Sequence, residues 1–286
     1  MFSSFLNLKV NPFAETPDVR FFYEAKQHSA VLERLEQTLD KGNGFTMLTG
    51  EVGTGKTILS RALIKRLEPS TTSALLLFPA LEGRDLFEAI AEEFGLVVEP
   101  NTSTKSVVSQ LVNFLIENAR QGKRALLILD EAQNASINAL ENIRLLSNFE
   151  QDSSKLIHIL LVGQPELKNK LQKPACRQIN QRISAQLELE GLASDEVSKY
   201  IRHRIETAGG ANFVQFKNET IQGIFQLSDG LPRLINLQCQ LALEFAAKTG
   251  SRIITKADLI RALENGNVLK RQKSMPWRRE VKLVQV

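Results

Sequence analysis

A glycine-rich loop between an apolar segment and a helical pattern sets the strongest limit on the fold of this chain. Residues 50–57 read GEVGTGKT and fit the phosphate-binding pattern GxxxxGK[ST], directly after the apolar run FTMLTG. Glycines let the backbone wrap around a phosphate chain, and the amide groups at the start of the following helix favour an anion. The motif therefore predicts a strand before the loop and a helix after it.

The loop supplies a set of residues for binding a nucleotide. Lys56 is predicted to reach the β and γ phosphates, and the Thr57 hydroxyl is predicted to bind Mg²⁺. A glycine-rich turn without a ligand is the alternative interpretation, and the strand and helix on either side of the motif argue against it. The predicted nucleotide-binding residues of the loop are Gly50, Glu51, Val52, Gly53, Thr54, Gly55, Lys56 and Thr57.

A second apolar run, RALLILDE at 124–131, ends in two acidic residues. The carboxyl end of a buried strand is where an α/β sheet binds its ligands. We predict that Asp130 holds Mg²⁺ through water and that Glu131 is the general base for the attacking water. Glu131 favours hydrolysis over a nucleotide sensor without turnover. No NKxD-type tetrapeptide, which would read guanine, occurs in the chain, so the expected nucleotide is ATP.

Apolar runs and helical patterns alternate along most of the chain, and this alternation predicts an α/β fold with a parallel sheet covered on both faces. The strand candidates are 45–50, 73–80, 124–131, 157–163 and 184–191, and the helix candidates of this part are 24–41, 56–68, 84–95, 104–121, 137–149 and 165–182. The strands stop near residue 191, and helical patterns follow at 194–208, 217–228, 232–248 and 255–264. We therefore expect an α/β domain at 1–191, including a Phe-rich N-terminal segment, a small all-α domain at 192–266 and a basic tail at 267–286.

The positive charge of the chain is concentrated at its end. The net charge is +4, but residues 270–286 hold six basic residues and one acidic residue, a local net of +5. The rest of the chain then has 30 basic and 31 acidic residues, a net of −1. The globular part is thus not a basic nucleic-acid binder by composition. Hydrophobic residues at 43% and charged residues at 24% exclude a disordered or fibrous chain.

Several motifs in this order resemble an AAA+ ATPase. The runs TGEVGTGKT, LLILDEAQN, LVGQPEL and SDGLPRLINLQC, with the opening NPFAETPDVRFFY, closely resemble the ExeA/GspA family of bacterial secretion ATPases. Within that family the chain is most similar to the short MshM-like members of MSHA-type pilus assembly. Related ATPases of the TnsC/TniB type regulate transposases on DNA. The resemblance implies a P-loop AAA+ domain with a five-stranded parallel sheet, followed by a helical lid.

The resemblance also implies roles for residues outside the loop. Gln164, after the fourth strand, matches the first sensor, and Arg233, at the start of a lid helix, matches the second sensor. Arg182, with Arg177 as second choice, matches an arginine finger that completes the ATP site of a neighbouring subunit. For Arg182 and Arg177 the alternative interpretation is ordinary surface charge. A finger acting in trans implies a homo-oligomer, in the form of a ring or a filament.

The leading functional hypothesis is an oligomeric ATPase that assembles or remodels a bacterial envelope machine for a pilus or for secretion. No apolar run approaches the roughly 18–20 residues of a membrane helix, and the opening MFSSFLNLKV does not read as a signal peptide. We therefore expect a cytoplasmic protein with ATP and Mg²⁺ as ligands. The basic tail is compatible with peripheral contact at the inner membrane, with DNA and with a solvated end. The alternatives are a DNA-dependent transposition regulator and a non-catalytic nucleotide switch.

Overall fold

The computed structural model describes residues 6–42, 44–77, 79–151, 154–210 and 213–266. The backbone forms two compact units. The first, called the α/β unit, comprises residues 24–190, and the second, called the helical unit, comprises residues 6–23 and 191–266. The predicted basic tail at 267–286 lies outside the described residues.

A parallel five-stranded sheet forms the centre of the α/β unit. Its strands are β1 (Phe45–Gly50), β2 (Thr71–Leu76), β3 (Arg124–Leu129), β4 (His158–Gly163) and β5 (Ile183–Leu189). Their order across the sheet is β2-β3-β4-β1-β5, and each neighbouring pair is parallel. The predicted five-stranded parallel sheet is confirmed.

Burial explains why the central strands are mostly apolar. Every residue of β1 and β4 is buried, so side chains on both faces of the sheet are covered there. Burial is interrupted along the edge strand β5, which alternates polar and apolar residues. Because the strands are parallel, their carboxyl ends share one edge of the sheet. The loops after β1, β3 and β4, which hold the predicted site residues, therefore meet at that edge.

Helices connect the strands of the α/β unit, as parallel pairing requires. Ser103 and Ser136 begin two of these helices as N-caps, because their side chains accept hydrogen bonds from the amides of Ser106 and Ala139. The helices are α1 (Lys26–Asp40), α2 (Lys56–Leu67), α3 (Gly83–Glu93), α4 (Thr104–Arg120), α5 (Ile137–Leu146), α6 (Glu166–Leu171) and α7 (Arg177–Asn180).

The prediction of one continuous helix over 165–182 is wrong. Helix α6 ends at Leu171, a 3-10 turn covers Pro174–Cys176, and α7 is a separate short helix. Pro174 accounts for the break, because proline has no backbone N–H and its ring clashes with the preceding turn of a helix. As a result, Arg182 follows α7 directly before β5 instead of lying on a long helix.

The helical unit contains the predicted helical patterns, now α8 (Ser194–Thr207), α9 (Asn218–Ser228), α10 (Pro232–Thr249) and α11 (Lys256–Asn265). It is not all-α, however, because Gln215–Phe216 pairs in parallel with Ile253–Ile254. This pairing joins the segment before α9 to the segment before α11. Each strand has only two residues, which is too short for hydrophobic periodicity to predict. None of the helices described in either unit is long and apolar enough to cross a membrane.

The N-terminal segment lies in the helical unit, whereas the sequence prediction assigned it to the α/β domain. The buried guanidinium of Arg204, on α8, donates to the carbonyl of Pro12. It also lies 5.9 Å from the ring centre of Phe13 and 5.1 Å from that of Phe21. Both aromatic rings are buried, so the segment supplies part of the core of the helical unit. This packing is the physical reason for the difference.

Candidate functional site

The glycines of the loop at 50–57 have two different structural requirements. Gly53 and Gly55 have φ values of 86° and 98°, in the left-handed region that residues with a Cβ rarely adopt. Gly50 is limited by space instead, because a Cβ at this position would lie 2.4 Å from the carbonyl oxygen of Leu189 on β5. The loop therefore curves tightly between the end of β1 and the start of α2.

The remaining residues of the loop differ in exposure. Glu51 and Val52 are exposed at its tip. Thr54 is buried, and its hydroxyl donates to the carbonyl of Glu51 over 2.9 Å, which closes the turn. The tip is thus open to solvent while the base of the loop is held by its own hydrogen bonds.

Lys56, the first residue of α2, places a cation at the base of this loop. Its side chain is buried, and Nζ donates to the carbonyl oxygens of Gly50 and Glu51 over 2.8 and 2.9 Å. Burial lowers the pKa of Lys56, and the nearby carboxylates of Glu131 and Asp130 act in the opposite direction. A cation at the base of a glycine-rich loop, in the first turn of a helix, fits a polyphosphate.

Thr57 and Asp130 form a hydroxyl–carboxylate pair between the first turn of α2 and the end of β3. The Thr57 hydroxyl donates to Oδ2 of Asp130 over 2.5 Å. Asp130 is only 2% exposed, and its burial raises its pKa, although the Thr57 hydrogen bond opposes that shift. Mg²⁺ prefers oxygen ligands of this kind. The donor set therefore fits Mg²⁺, whose charge would also offset the cost of the buried carboxylate.

The predicted base and the predicted first sensor lie together. Glu131 follows Asp130 with a φ of 52°, in the left-handed region, and its amide donates to Oδ1 of Asp130 over 2.9 Å. The side-chain amide of Gln164, just after β4, donates to Oε2 of Glu131 over 3.2 Å. Two residues from separate loops are thus joined by a direct hydrogen bond. Their roles in chemistry stay predictions.

Gln133 belongs to the same cluster, although no sequence pattern predicted a role for it. Its Nε2 donates to Oε2 of Glu131 over 2.5 Å, and its Oε1 accepts the backbone N–H of Gln164 over 3.1 Å. The run LLILDEAQN contains this glutamine two residues after Glu131. Spacing alone does not predict the contact, because the 3-10 turn Ala132–Asn134 is what returns the side chain to the site.

The arginines predicted as finger and as second sensor lie outside the three loops described above. Arg182 is partly buried, and its Nη1 donates to the side chains of Asn148 and Ser147, after the C-terminal end of α5, over 2.5 and 3.2 Å. Arg177 is exposed at the start of α7. Arg233 is exposed in the first turn of α10, in the helical unit. The finger and second-sensor roles of these residues stay predictions.

Sequence comparisons agree with this geometry. Residues 38–171 match the family model described as an AAA domain. The chain is 39% identical over 259 residues, or 91% of its length, to general secretion pathway protein A of Aeromonas hydrophila. It is 29% identical over 152 residues, or 51% of its length, to an uncharacterized HTH-type transcriptional regulator of Methanocaldococcus jannaschii. It spans 47% and 36% of these two relatives, so it covers less than half of each.

Solved structures share the fold at low sequence identity. The ADP form of the Aeropyrum pernix ORC2 protein matches 88% of this chain and 71% of its own, with a TM-score of 0.69 and 20% identity. A variant of Thermotoga maritima RuvB matches 91% of this chain and 73% of its own, with a TM-score of 0.57 and 16% identity. The chain therefore has the AAA+ P-loop fold, its residues 38–171 match the AAA domain model, and over 91% of its length it is similar to general secretion pathway protein A.

Proposed function

We propose that this protein binds ATP with Mg²⁺ and hydrolyses the ATP to ADP and phosphate. The observation that carries the proposal is one cluster at the carboxyl edge of the sheet, built from three separate loops. It brings together Lys56, the pair Thr57–Asp130, and the pair Glu131–Gln164. The ORC2 structures with the same fold are described as complexes with ADP or ADPNP, which supports a nucleotide as the ligand.

The cluster contains the groups that phosphoryl transfer to water requires. The loop amides and the Lys56 ammonium would bind the β and γ phosphates, and Thr57 and Asp130 would hold Mg²⁺. When bound, Mg²⁺ supplies charge that neutralises the phosphate oxygens. The Glu131 carboxylate accepts a proton from the attacking water while the water oxygen bonds to the γ phosphorus. The bond from that phosphorus to the bridging oxygen breaks, and ADP leaves.

Two substitutions test this proposal directly. Lys56→Ala should lose ATP binding, because the phosphates lose their cation. Glu131→Gln should bind ATP normally but release phosphate roughly 10²- to 10⁴-fold more slowly, the usual contribution of a general base. The measurements are titration with a fluorescent ATP analogue and a phosphate-release assay. Glu92→Gln, an exposed acid on α3, is the matched control and should behave like the parent. Equal turnover in Glu131→Gln and the parent would contradict the role of Glu131.

We further propose that hydrolysis drives the assembly or remodelling of an envelope machine, either a type IV or MSHA-type pilus or a type II-like secretion system. The similarity to general secretion pathway protein A supports this proposal. The protein would then act in the cytoplasm, with the basic residues at 270–286 as its contact with the anionic inner membrane. A strain carrying Lys56→Ala should fail to build the machine, and normal assembly in that strain would contradict the proposal.

We propose that the active form is a homo-oligomer in which Arg182 reaches the ATP of a neighbouring subunit, with Arg177 as the alternative. Two exposed apolar side chains support an interface here, since Leu145 is 47% exposed and Phe149 is 37% exposed. They flank Ser147 and Asn148, the residues that bind the Arg182 side chain. Apolar side chains next to an arginine are typical of protein–protein interfaces.

The second candidate function is a DNA-dependent regulator of transposition. The net charge of +5 at 270–286, beside a remainder of net −1, is compatible with this candidate as well as with contact at the membrane. If DNA is the partner, it should stimulate hydrolysis, and binding should weaken with salt along a log–log slope of up to about −5 for six basic contacts. Absence of DNA binding at low salt would remove this candidate.

A further inference from the structure

We propose that Gln133 is a positioning residue that holds the Glu131 carboxylate and the main chain at Gln164 in one fixed relation. This inference rests on the proposed hydrolysis of ATP and assigns a residue to that same site. Gln133 bridges the loop after β3 and the loop after β4 through the two ends of a single side-chain amide.

The hydrogen bonds determine which way the amide of Gln133 points. The backbone N–H of Gln164 can only donate, so the atom that faces it over 3.1 Å must be the oxygen of Gln133. The NH₂ group of Gln133 then faces Oε2 of Glu131 over 2.5 Å, where a carboxylate is a suitable acceptor. A reversed amide would set a donor against a donor and an acceptor against an acceptor.

The surrounding backbone leaves room for this amide and holds the turn that carries it. A Cβ built at Gly163, the last residue of β4, would lie 2.7 Å from Oε1 of Gln133, so a side chain at position 163 would displace the amide of Gln133. Lys170, on α6, donates through Nζ to the backbone carbonyls of Gln133 and Ala135 at the 3-10 turn. Gln133 is therefore held both at its side chain and at its backbone.

Glu131 depends on side-chain contacts of this kind for its orientation. Its backbone has a φ of 52°, a conformation that non-glycine residues rarely adopt. Oε2 of Glu131 accepts from Gln133 over 2.5 Å and from Gln164 over 3.2 Å, so Gln133 supplies the shorter bond. Without it, the carboxylate would keep a single longer bond and would occupy additional rotamers. Turnover should then fall while ATP binding, which depends on Lys56 and the glycine loop, should not.

The test uses two variants of the full chain that differ in which hydrogen bond they remove. Gln133→Met removes both, whereas Gln133→Glu keeps an acceptor for the Gln164 N–H but loses the donor to Glu131 and adds a charge beside it. We expect kcat to fall about 10- to 100-fold in both, as for other residues that orient a reacting group, with the Kd for ATP within about twofold of the parent. Asn134→Met, an exposed neighbour on the same turn, is the matched control.

The comparison of kcat with the affinity for ATP separates positioning from a merely structural role, because a structural defect of the site would lower both. If Gln133→Met fails to fold, Gln133→Glu alone carries the test. Unchanged kcat, or a fall in kcat matched by an equal loss of ATP affinity, would overturn the inference. A parent protein without ATP turnover would overturn the proposed function and this inference with it.

Discussion

Asp130 and Lys56 are charged residues in a buried environment, at 2% and 6% exposure. Burial raises the pKa of Asp130 and lowers the pKa of Lys56, so in both cases the surroundings disfavour the charged form. These charges therefore cost stability in the ligand-free protein. Phosphates next to Lys56 and Mg²⁺ next to Asp130 would offset that cost, which is the expected trade between stability and function.

A pH-dependent stability difference should follow from Asp130. Its folded pKa lies above the ordinary value of 3.8, so the folded state loses stability relative to the unfolded state as pH rises from about 3.8 through the raised pKa. Asp130→Asn removes this ionisation. We therefore compare the difference in Tm, Asp130→Asn minus parent, in buffer without Mg²⁺ and nucleotide. This difference should be more positive at pH 7 than at pH 4.5. Every tenfold difference between the acid dissociation constants of Asp130 in the folded and unfolded states corresponds to about 1.4 kcal/mol of stability and roughly 2–4 °C in Tm.

Thermal melts at the two pH values check this prediction. Glu99→Gln, which removes an exposed carboxylate in the same unit, is the control and should show no such pH dependence. The same difference in Tm between Asp130→Asn and the parent at both pH values would show that burial of Asp130 has no energetic effect.

At the level of the strands, the contact between β1 and β5 limits which residue can occupy the first position of the phosphate-binding loop. Gly50 pairs with Leu189 at the ends of these strands, and a Cβ at Gly50 would meet the Leu189 carbonyl oxygen at 2.4 Å. That atom belongs to the backbone, so no side-chain rotation relieves the clash. The glycine of the phosphate-binding motif is thus also a requirement of the sheet.

Gly50→Ala should for this reason destabilise the fold as well as the site. We expect the free energy of unfolding to fall by about 1–3 kcal/mol, the usual cost of overpacking, measured by urea denaturation. Gly44→Ala, six residues earlier, is the control, because a Cβ there has no neighbour within 4 Å. Its effect should stay within about 0.5 kcal/mol. Equal effects of the two substitutions would argue against the contact with Leu189.

The segment between β4 and β5 illustrates how one residue changes an element. Helical periodicity continues from 165 to 182, but Pro174 divides the segment into α6, a 3-10 turn and α7. The break gives α6 its own end, so Lys170 donates to the carbonyls of Gln133 and Ala135 from the last turn of a short helix. It also separates Arg182 from α6. Proline is a local signal, and it outweighs the periodic pattern.

For the molecule as a whole, the proposed oligomer predicts complementation between two inactive variants. Arg182→Ala lacks the finger but keeps its own Lys56, whereas Lys56→Ala keeps the finger but cannot bind ATP. Mixing the two should restore phosphate release above the sum of the separate rates, because one subunit supplies the arginine and the other supplies the nucleotide site. A finger in trans contributes on the order of 10³–10⁵ in rate in other systems.

The phosphate-release rate per subunit should also rise with protein concentration in the parent. Arg177→Ala mixed with Lys56→Ala is the parallel experiment, and it identifies which arginine is the finger. If Arg182→Ala and Arg177→Ala each hydrolyse ATP at the parent rate at every concentration, neither arginine acts in trans.

Local patterns in the sequence were sufficient for the sheet and for the phosphate-binding loop. Apolar runs of strand length that alternate with helical patterns predict a parallel sheet, and the motif at 50–57 requires its strand and helix directly on either side. Asp130 and Glu131 could be proposed because they end an apolar strand. Each of these signals lies within a few neighbouring residues, where backbone conformation and hydrophobic periodicity dominate.

Contacts between distant segments required the folded chain. Gln133 has no distinguishing pattern around it in the sequence, and it joins Glu131 to Gln164 because the strands β3 and β4 are adjacent in the sheet. Residues 6–23 pack with helices more than 170 residues later, because the rings of Phe13 and Phe21 bury against Arg204. Side-chain packing over such separations depends on strand order and helix placement, and neither is encoded in local periodicity.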